Sequence, residues 1–188
     1  MRTGPFTHVV SLECQFTALD LKALVECSQS HYDARCRSAS FQGGVLYGMM
    51  NMITEAVDYG KYPGLSTLEI FQKVCEDDPD RTVSRSFTFR ELDSLLKICE
   101  TGGLFFELKR AQAQIREEDQ RLRKDYLVLE LKRFRGNPTA RYASYLQEGL
   151  SRAMALAMTY QSLLDFGNLD KEERALAQTY REEADHLA

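Results

Sequence analysis

The chain has 188 residues, a formal net charge of -4 and 44% hydrophobic residues. This is the composition of an ordinary globular protein, and it excludes collagen-like, low-complexity and mostly disordered chains. A chain of this length can bury a sizeable core without metal ions or disulfides, but it is too short for two large domains. We expect a small α+β domain over residues 1–102 and a helical domain over residues 103–188.

The sequence shows no sign of membrane insertion or secretion. The N-terminus lacks the long apolar segment of a secretory signal. The longest uncharged run, residues 38–54, contains three glycines and is too short and too polar to span a bilayer. The five cysteines are an odd number, which indicates free thiols in a reducing compartment. We therefore expect a soluble cytoplasmic protein that has no contact with membranes.

The first hundred residues have the pattern of a small α+β unit. Apolar and polar side chains alternate over residues 9–16 and again over residues 83–89, as in half-buried strands. At several points a hydroxyl precedes a carboxylate by three residues, which marks the start of a helix. These starts and the apolar spacing predict helices over residues 17–33, 41–58, 66–75 and 88–101. The two strands are expected to form a minimal antiparallel sheet with helices on one face.

The last eighty-odd residues predict three helices, separated by turns at residues 136–138 and 167–168. Their apolar side chains recur at alternating steps of three and four residues, which is typical of antiparallel coiled-coil packing. In the middle helix this seam runs without a break through Ala143, Leu146, Leu150, Ala153, Ala157, Tyr160 and Leu164. The predicted fold is therefore mainly α (α+β), with a C-terminal helical hairpin and a third helix forming a coiled-coil-like bundle.

Apolar seams of this kind are self-complementary and often bury against another copy or another chain. They predict a non-catalytic protein-interaction module, such as an adaptor, an assembly subunit or a small inhibitor, which binds a larger protein or itself through helical surfaces. The residues predicted to contact the partner are Leu122, Tyr126, Leu129 and Tyr145. Packing inside the chain's own core is the simpler interpretation of each of them.

A basic segment suggests nucleic-acid binding as an alternative function. Residues 81–135 carry 13 basic and nine acidic side chains, and phosphate contacts need basic groups on one face. The residues predicted for such a face are Arg121, Arg123, Lys124, Lys132, Arg133 and Arg135. Carboxylates are interleaved with them, however, so ion pairs along a solvated helix are the simpler interpretation.

Thiol or metal chemistry is the third, least favoured possibility. Cys27 and His31 are four residues apart on a predicted helix, and Cys14 and Cys36 complete a set of soft ligands of the kind that zinc prefers. The cysteines lack the paired spacing of a zinc motif, and buried thiols explain them equally well. The sequence contains no nucleotide-binding, zinc-protease or hydrolase motif. We therefore predict no cofactor and no catalytic residue.

Overall fold

The structure is a computed structural model, and it describes residues 9–35, 40–54, 62–99 and 102–188. The described residues form eight α-helices and one two-stranded antiparallel sheet, and 74% of these residues are helical. This confirms the mainly α, α+β class. In chain order the elements are β1 (Ser11–Thr17), α1 (Ala18–Arg35), α2 (Ser40–Thr54), α3 (Thr67–Asp77), β2 (Thr82–Thr88), α4 (Phe89–Ile98), α5 (Gly103–Glu130), a short 3₁₀ helix (Leu131–Arg133), α6 (Pro138–Gln147), α7 (Arg152–Phe166) and α8 (Lys171–His186).

Contacts divide the chain into two compact units: residues 8–116 form one, and residues 117–188 belong to the other, so that the boundary along the sequence falls within α5. We call them the N-terminal unit and the C-terminal unit. The domain limit predicted at residue 102 concerns independently folding parts and stays a prediction. Within the described ranges, no helix is both long and apolar enough to cross a membrane.

The N-terminal unit contains the two predicted strands. β1 and β2 pair antiparallel, with Ser11 opposite Thr88 and Thr17 opposite Thr82. Phe16 and Phe87 project from the sheet into the core, where their rings meet edge to face with centroids 5.5 Å apart. Edge-to-face contact suits the charge distribution of aromatic rings, so this pair fixes the two strands against the helices.

The predicted helix starts are also present in the N-terminal unit. The hydroxyl of Ser66 accepts a hydrogen bond from the backbone of Glu69, and the Glu69 carboxylate accepts one from the backbone of Ser66. Thr88 and Glu91 form the same reciprocal arrangement at α4. These contacts satisfy backbone N–H groups that a helix leaves without partners. The end of the predicted helix 41–58 lies outside the described residues.

The C-terminal unit corrects one predicted element, because the unbroken middle helix is two helices. α6 ends at Gln147, and Gly149 adopts a positive φ of 88°. The N–H of Gly149 donates to Leu146 O, and that of Leu150 donates to Tyr145 O, which is the Schellman arrangement that ends a helix. Ser151 then caps α7 by accepting a hydrogen bond from the Met154 N–H. The alternating apolar spacing continued across this break and concealed it.

The core of the C-terminal unit also lies one or two residues away from parts of the predicted seam. Leu129 is 58% exposed and Ala143 is exposed, although both were predicted to lie in the seam. Their neighbours Leu127 and Tyr142 are buried instead. Each residue rotates a helix by about 100°, so the buried face lies about 100° from the predicted one at Ala143 and about 200° from it at Leu129. The buried core residues of this unit are Leu127, Leu131, Phe134, Tyr142, Ala155, Leu156, Tyr160, Leu163, Ala177, Tyr180 and Ala184.

Candidate binding groove

A groove of about 510 Å³ lies in the N-terminal unit, between β1 and the first turns of α5. Five successive residues of β1, residues 12–16, line one wall. Because successive side chains of a strand point to opposite faces, a wall made of five in a row is the edge of the strand. The other lining residues are Asp20, Gly103, Leu104, Glu107, Leu108, Arg110, Ala111 and Gln114.

The hydrogen bonds of β1 show which of its backbone groups face this groove. The N–H of Ala18 donates to Arg81 O at 2.7 Å, whereas the N–H of Thr17 donates to the Asp20 carboxylate at 2.9 Å. Inward and outward backbone groups alternate along an antiparallel strand. The N–H and C=O groups of Ser11, Glu13 and Gln15 therefore point away from β2.

This outer edge of β1 has no strand beside it among the residues that the structure describes. The sheet contains only β1 and β2, and no backbone hydrogen bond of the described chain reaches the outer edge. An open edge presents a row of donors and acceptors that can pair with another extended chain. The groove thus combines hydrogen-bonding groups along one side with a helix along the other.

The floor and the outer rim of the groove differ in chemistry. Leu12 and Cys14 of β1 are half-buried against the core, as are Leu104 and Ala111 of α5. These four side chains give the groove an apolar floor. Glu13 and Gln15 project from the other face of β1 and are exposed. A bound chain would accordingly meet apolar groups on one face and polar groups on the other.

The rim carries more negative than positive charge. Glu107 and Arg110 form an exposed ion pair at 2.7 Å, so they cancel each other. The Asp20 carboxylate accepts hydrogen bonds from Thr17. Glu13 has no basic partner within the described part of the chain, and its neighbour across the sheet is Ser86. Glu13 and Asp20 therefore leave an excess of negative charge beside the free edge.

The structure places the predicted thiol and metal ligands as follows. Cys14 lines the groove, and Cys27 is half-buried on α1. Cys36 and the side chain of His31 lie outside the part of the chain that the structure describes. In the described ranges, no three His, Cys, Asp or Glu side chains are grouped so that they could hold a metal ion. The four-ligand site, which needs Cys36, stays a prediction.

Burial makes Cys14 a weak nucleophile, and this has a measurable consequence. Desolvation raises the pKa of the Cys14 thiol, so at any pH below that value less thiolate is present than in an exposed cysteine. We expect N-ethylmaleimide to modify Cys14 more slowly in the native protein than in the urea-unfolded chain, with a rate that increases as the pH is raised. Mass-spectrometric mapping of the labelled peptides measures this, and equal rates in both states at neutral pH would contradict it.

The four predicted partner contacts are not equally accessible. Tyr126 and Tyr145 are half-buried and pack against the core of the C-terminal unit, and Leu122 is also half-buried. Of the four, Leu129 alone is strongly exposed. Binding of a partner through these residues stays a prediction.

Half of the predicted nucleic-acid face is paired with carboxylates. Arg121 contacts Glu118 at 2.5 Å, and Arg123 contacts Asp119 at 2.8 Å. Arg123 also reaches Glu183 at 2.7 Å, and Arg133 reaches Glu130 at 3.0 Å. The other members, Lys124, Lys132 and Arg135, take part in no ion pair within the described chain. Pairing lowers the charge available to phosphate groups, and nucleic-acid binding stays a prediction.

Comparisons with protein-family models, with curated proteins and with solved structures found no match to this chain. The candidate site is therefore identified from the geometry of the groove alone.

The alternating residues of β1 predicted the strand but not the groove beside it. One signal for an open edge was present, because a sheet of only two strands has two outer edges.

Proposed function

We propose that this chain is a protein-interaction module that binds an extended segment of a partner protein in the groove beside β1. One observation carries the proposal: the outer edge of β1, with the backbone groups of Glu13 and Gln15, faces a groove that has an apolar floor and that holds no other strand of the described residues. A segment bound there would add a third strand to the sheet. An adaptor, an assembly subunit or an inhibitor could use such a site.

In strand addition, the backbone and the side chains of the bound segment make different contributions to binding. Main-chain hydrogen bonds to an exposed sheet edge supply affinity, and pockets for alternate side chains supply specificity. A strand within a layered sheet fills about 160 Å³ per residue, from a rise of about 3.3 Å, a strand spacing of about 4.8 Å and a layer spacing of about 10 Å. The 510 Å³ of the groove therefore hold about three residues of an added strand.

The proposal differs from the sequence-based expectation in the surface that it uses. Helical surfaces were expected to bind the partner, whereas the groove combines a strand edge with one helix. The supporting features lie in the N-terminal unit, where the backbone of β1 is held in place by its ladder with β2 and by the buried ring of Phe16. A rigid edge favours binding because little conformational freedom is lost when the segment pairs with it.

Peptides methylated on alternate backbone nitrogens test strand addition. The probe is a peptide of about nine residues that alternates valine with a polar residue, because this pattern suits a half-buried strand. Two isomers carry N-methyl groups either on the valines or on the polar residues. In a strand, alternate N–H groups point to opposite edges, so only one isomer loses the hydrogen bonds to β1.

We expect one isomer to bind at least tenfold more weakly than the unmethylated peptide, and the other to stay within about threefold, because each hydrogen bond contributes about 0.5–1.5 kcal/mol. Fluorescence anisotropy of labelled peptides measures the affinities. Amide hydrogen exchange should show new protection at Glu13 and Gln15 in the complex. An equal loss for both isomers would indicate apolar adhesion without strand addition and would overturn the proposal.

A further inference from the structure

We infer that the segment bound beside β1 alternates apolar with basic side chains, the basic ones lying on the outer face of the sheet next to Glu13. This inference rests on the proposed function, and it specifies the chemistry of the partner. The two faces of the sheet set separate requirements. The groups beside β1 on each face determine which side chains the added strand can carry on that face.

The inner face calls for apolar side chains. An added strand would continue the sheet, so every second side chain would point to the same side as Leu12, Cys14 and Phe16. On that side the groove is lined by Leu104 and Ala111 of α5. Both are partly buried already, and a bound apolar side chain would cover what remains exposed. A polar side chain there would lose its contact with water without gaining a hydrogen bond.

The outer face calls for positive charge. Residues directly opposite each other on neighbouring strands have Cβ atoms about 5 Å apart, close enough for an ion pair. On this face β1 presents Glu13 and Gln15, and the β2 residues opposite them are Ser86 and Ser84. No basic side chain of the described sheet therefore neutralises Glu13. A lysine or arginine of the partner would pair with that carboxylate on the solvent-exposed face of the sheet, where both charged groups keep most of their hydration.

The same charge argues against a second copy of this chain as the occupant. Pairing two copies of β1 edge to edge would bring two Glu13 carboxylates to the same face of one sheet. Like charges on directly opposed strand positions are destabilising. A foreign segment that carries the opposite charge fits the edge better than the chain itself does.

Three peptides test this charge preference. They have the same length, of about nine residues, and alternate valine with lysine, with serine or with glutamate. We expect the lysine peptide to bind about fivefold more tightly than the serine peptide, and the glutamate peptide to bind most weakly, as cross-strand ion pairs imply. The differences should shrink in roughly 1 M salt, where the screening length falls to about 3 Å.

Charge reversal at Glu13 identifies the residue that is responsible. In Glu13→Lys the ranking of the lysine and glutamate peptides should be reversed, and in the milder Glu13→Gln it should disappear. Glu76→Lys is the matched control, because Glu76 is an exposed carboxylate on α3 that does not line the groove. It should keep the ranking of the unmodified protein. Circular dichroism establishes that each variant is folded.

The possible outcomes separate the inference from the proposed function. If all three peptides bind equally and one N-methylated isomer still fails, strand addition stands and the charge inference is wrong. The inference is also wrong if Glu13→Lys and Glu13→Gln leave the ranking unchanged. If no peptide binds, both are wrong, and light scattering then shows whether a second copy fills the edge. Binding that appears only after residues 1–8 are deleted would identify the chain's own N-terminus as the occupant and overturn both.

Discussion

Replacing Phe87 with alanine is expected to lower the free energy of unfolding by about 3–5 kcal/mol, the cost of removing a buried aromatic ring. Phe87 is fully buried, and its ring meets that of Phe16 edge to face. The substitution leaves a cavity beneath the sheet and removes the ring contact between β1 and β2. Because β1 forms one wall of the groove, peptide binding should weaken along with stability.

Phe106→Ala is the matched control for this prediction. Phe106 lies on α5 in the same unit, but it is 70% exposed. The same substitution there should change stability by no more than about 0.5 kcal/mol, as is usual for surface positions. Urea denaturation followed by circular dichroism gives both values, provided that the dependence on urea is the same for each variant. Similar costs at the two positions would contradict the core assignment.

Local patterns predicted the elements of the N-terminal unit well. Both strands were readable from alternation, because one face of each is buried and the other is in water. The starts of α3 and α4 were readable from Ser66 with Glu69 and from Thr88 with Glu91, since the capping box is formed by side chains within one turn. Such signals depend only on neighbouring residues, so a single sequence contains them in full.

The break between α6 and α7 shows where such patterns fail. The spacing of apolar residues is a periodic signal, and it continued in step from Leu146 to Leu150 and Ala153. Gly149 was the contrary signal, because glycine adopts a positive φ at little cost and commonly ends helices. Ser151, a favoured capping residue, follows it. Local chemistry determined the end of the helix here, although the periodicity suggested none.

The groove could not have been predicted from the sequence, because it depends on two segments that are far apart in the chain. Leu12 and Leu104 line the same space but are separated by most of the N-terminal unit. Sequence periodicity identifies which side chains are apolar, but not whether two such faces pack tightly or leave a gap. The residues predicted to bind a partner all came from the helices, where the periodic signal is strong.

The second large effect is expected in the C-terminal unit, at a pair of buried tyrosines. The hydroxyl of Tyr180 donates a 2.6 Å hydrogen bond to the Glu130 carboxylate. The hydroxyl of Tyr160 donates one of the same length to the backbone carbonyl of Leu127. The Glu130 side chain is only 7% exposed, and its other partner is the guanidinium of Arg133 at 3.0 Å. The Tyr180 hydroxyl also lies 3.4 Å from the Tyr126 hydroxyl, so the two tyrosines differ in the charge of their acceptor and in this additional contact.

We expect Tyr180→Phe to cost about 1.5–3 kcal/mol and Tyr160→Phe about 0.5–1.5 kcal/mol, because hydrogen bonds to charged groups are the stronger ones. Each substitution removes one oxygen atom and keeps the ring, so it leaves almost no cavity. Urea denaturation at neutral pH measures both costs. A larger cost for Tyr160→Phe would mean that the Glu130 carboxylate finds a replacement for the lost donor.

The alkaline limit of stability gives an independent measure of these two tyrosines. Burial, and in Tyr180 also the hydrogen bond to Glu130, raises their pKa values far above the ordinary value of about 10. The folded state therefore binds protons that the unfolded chain has released above that pH. The resulting stability is complete below about pH 10 and is lost as the pH rises further. Tyr180→Phe, although less stable at neutral pH, should lose less of its remaining stability between about pH 9 and pH 11. If the loss over this range is the same with and without the Tyr180 hydroxyl, that hydroxyl ionises as freely in the folded protein as in the unfolded chain, and its bond to Glu130 contributes nothing.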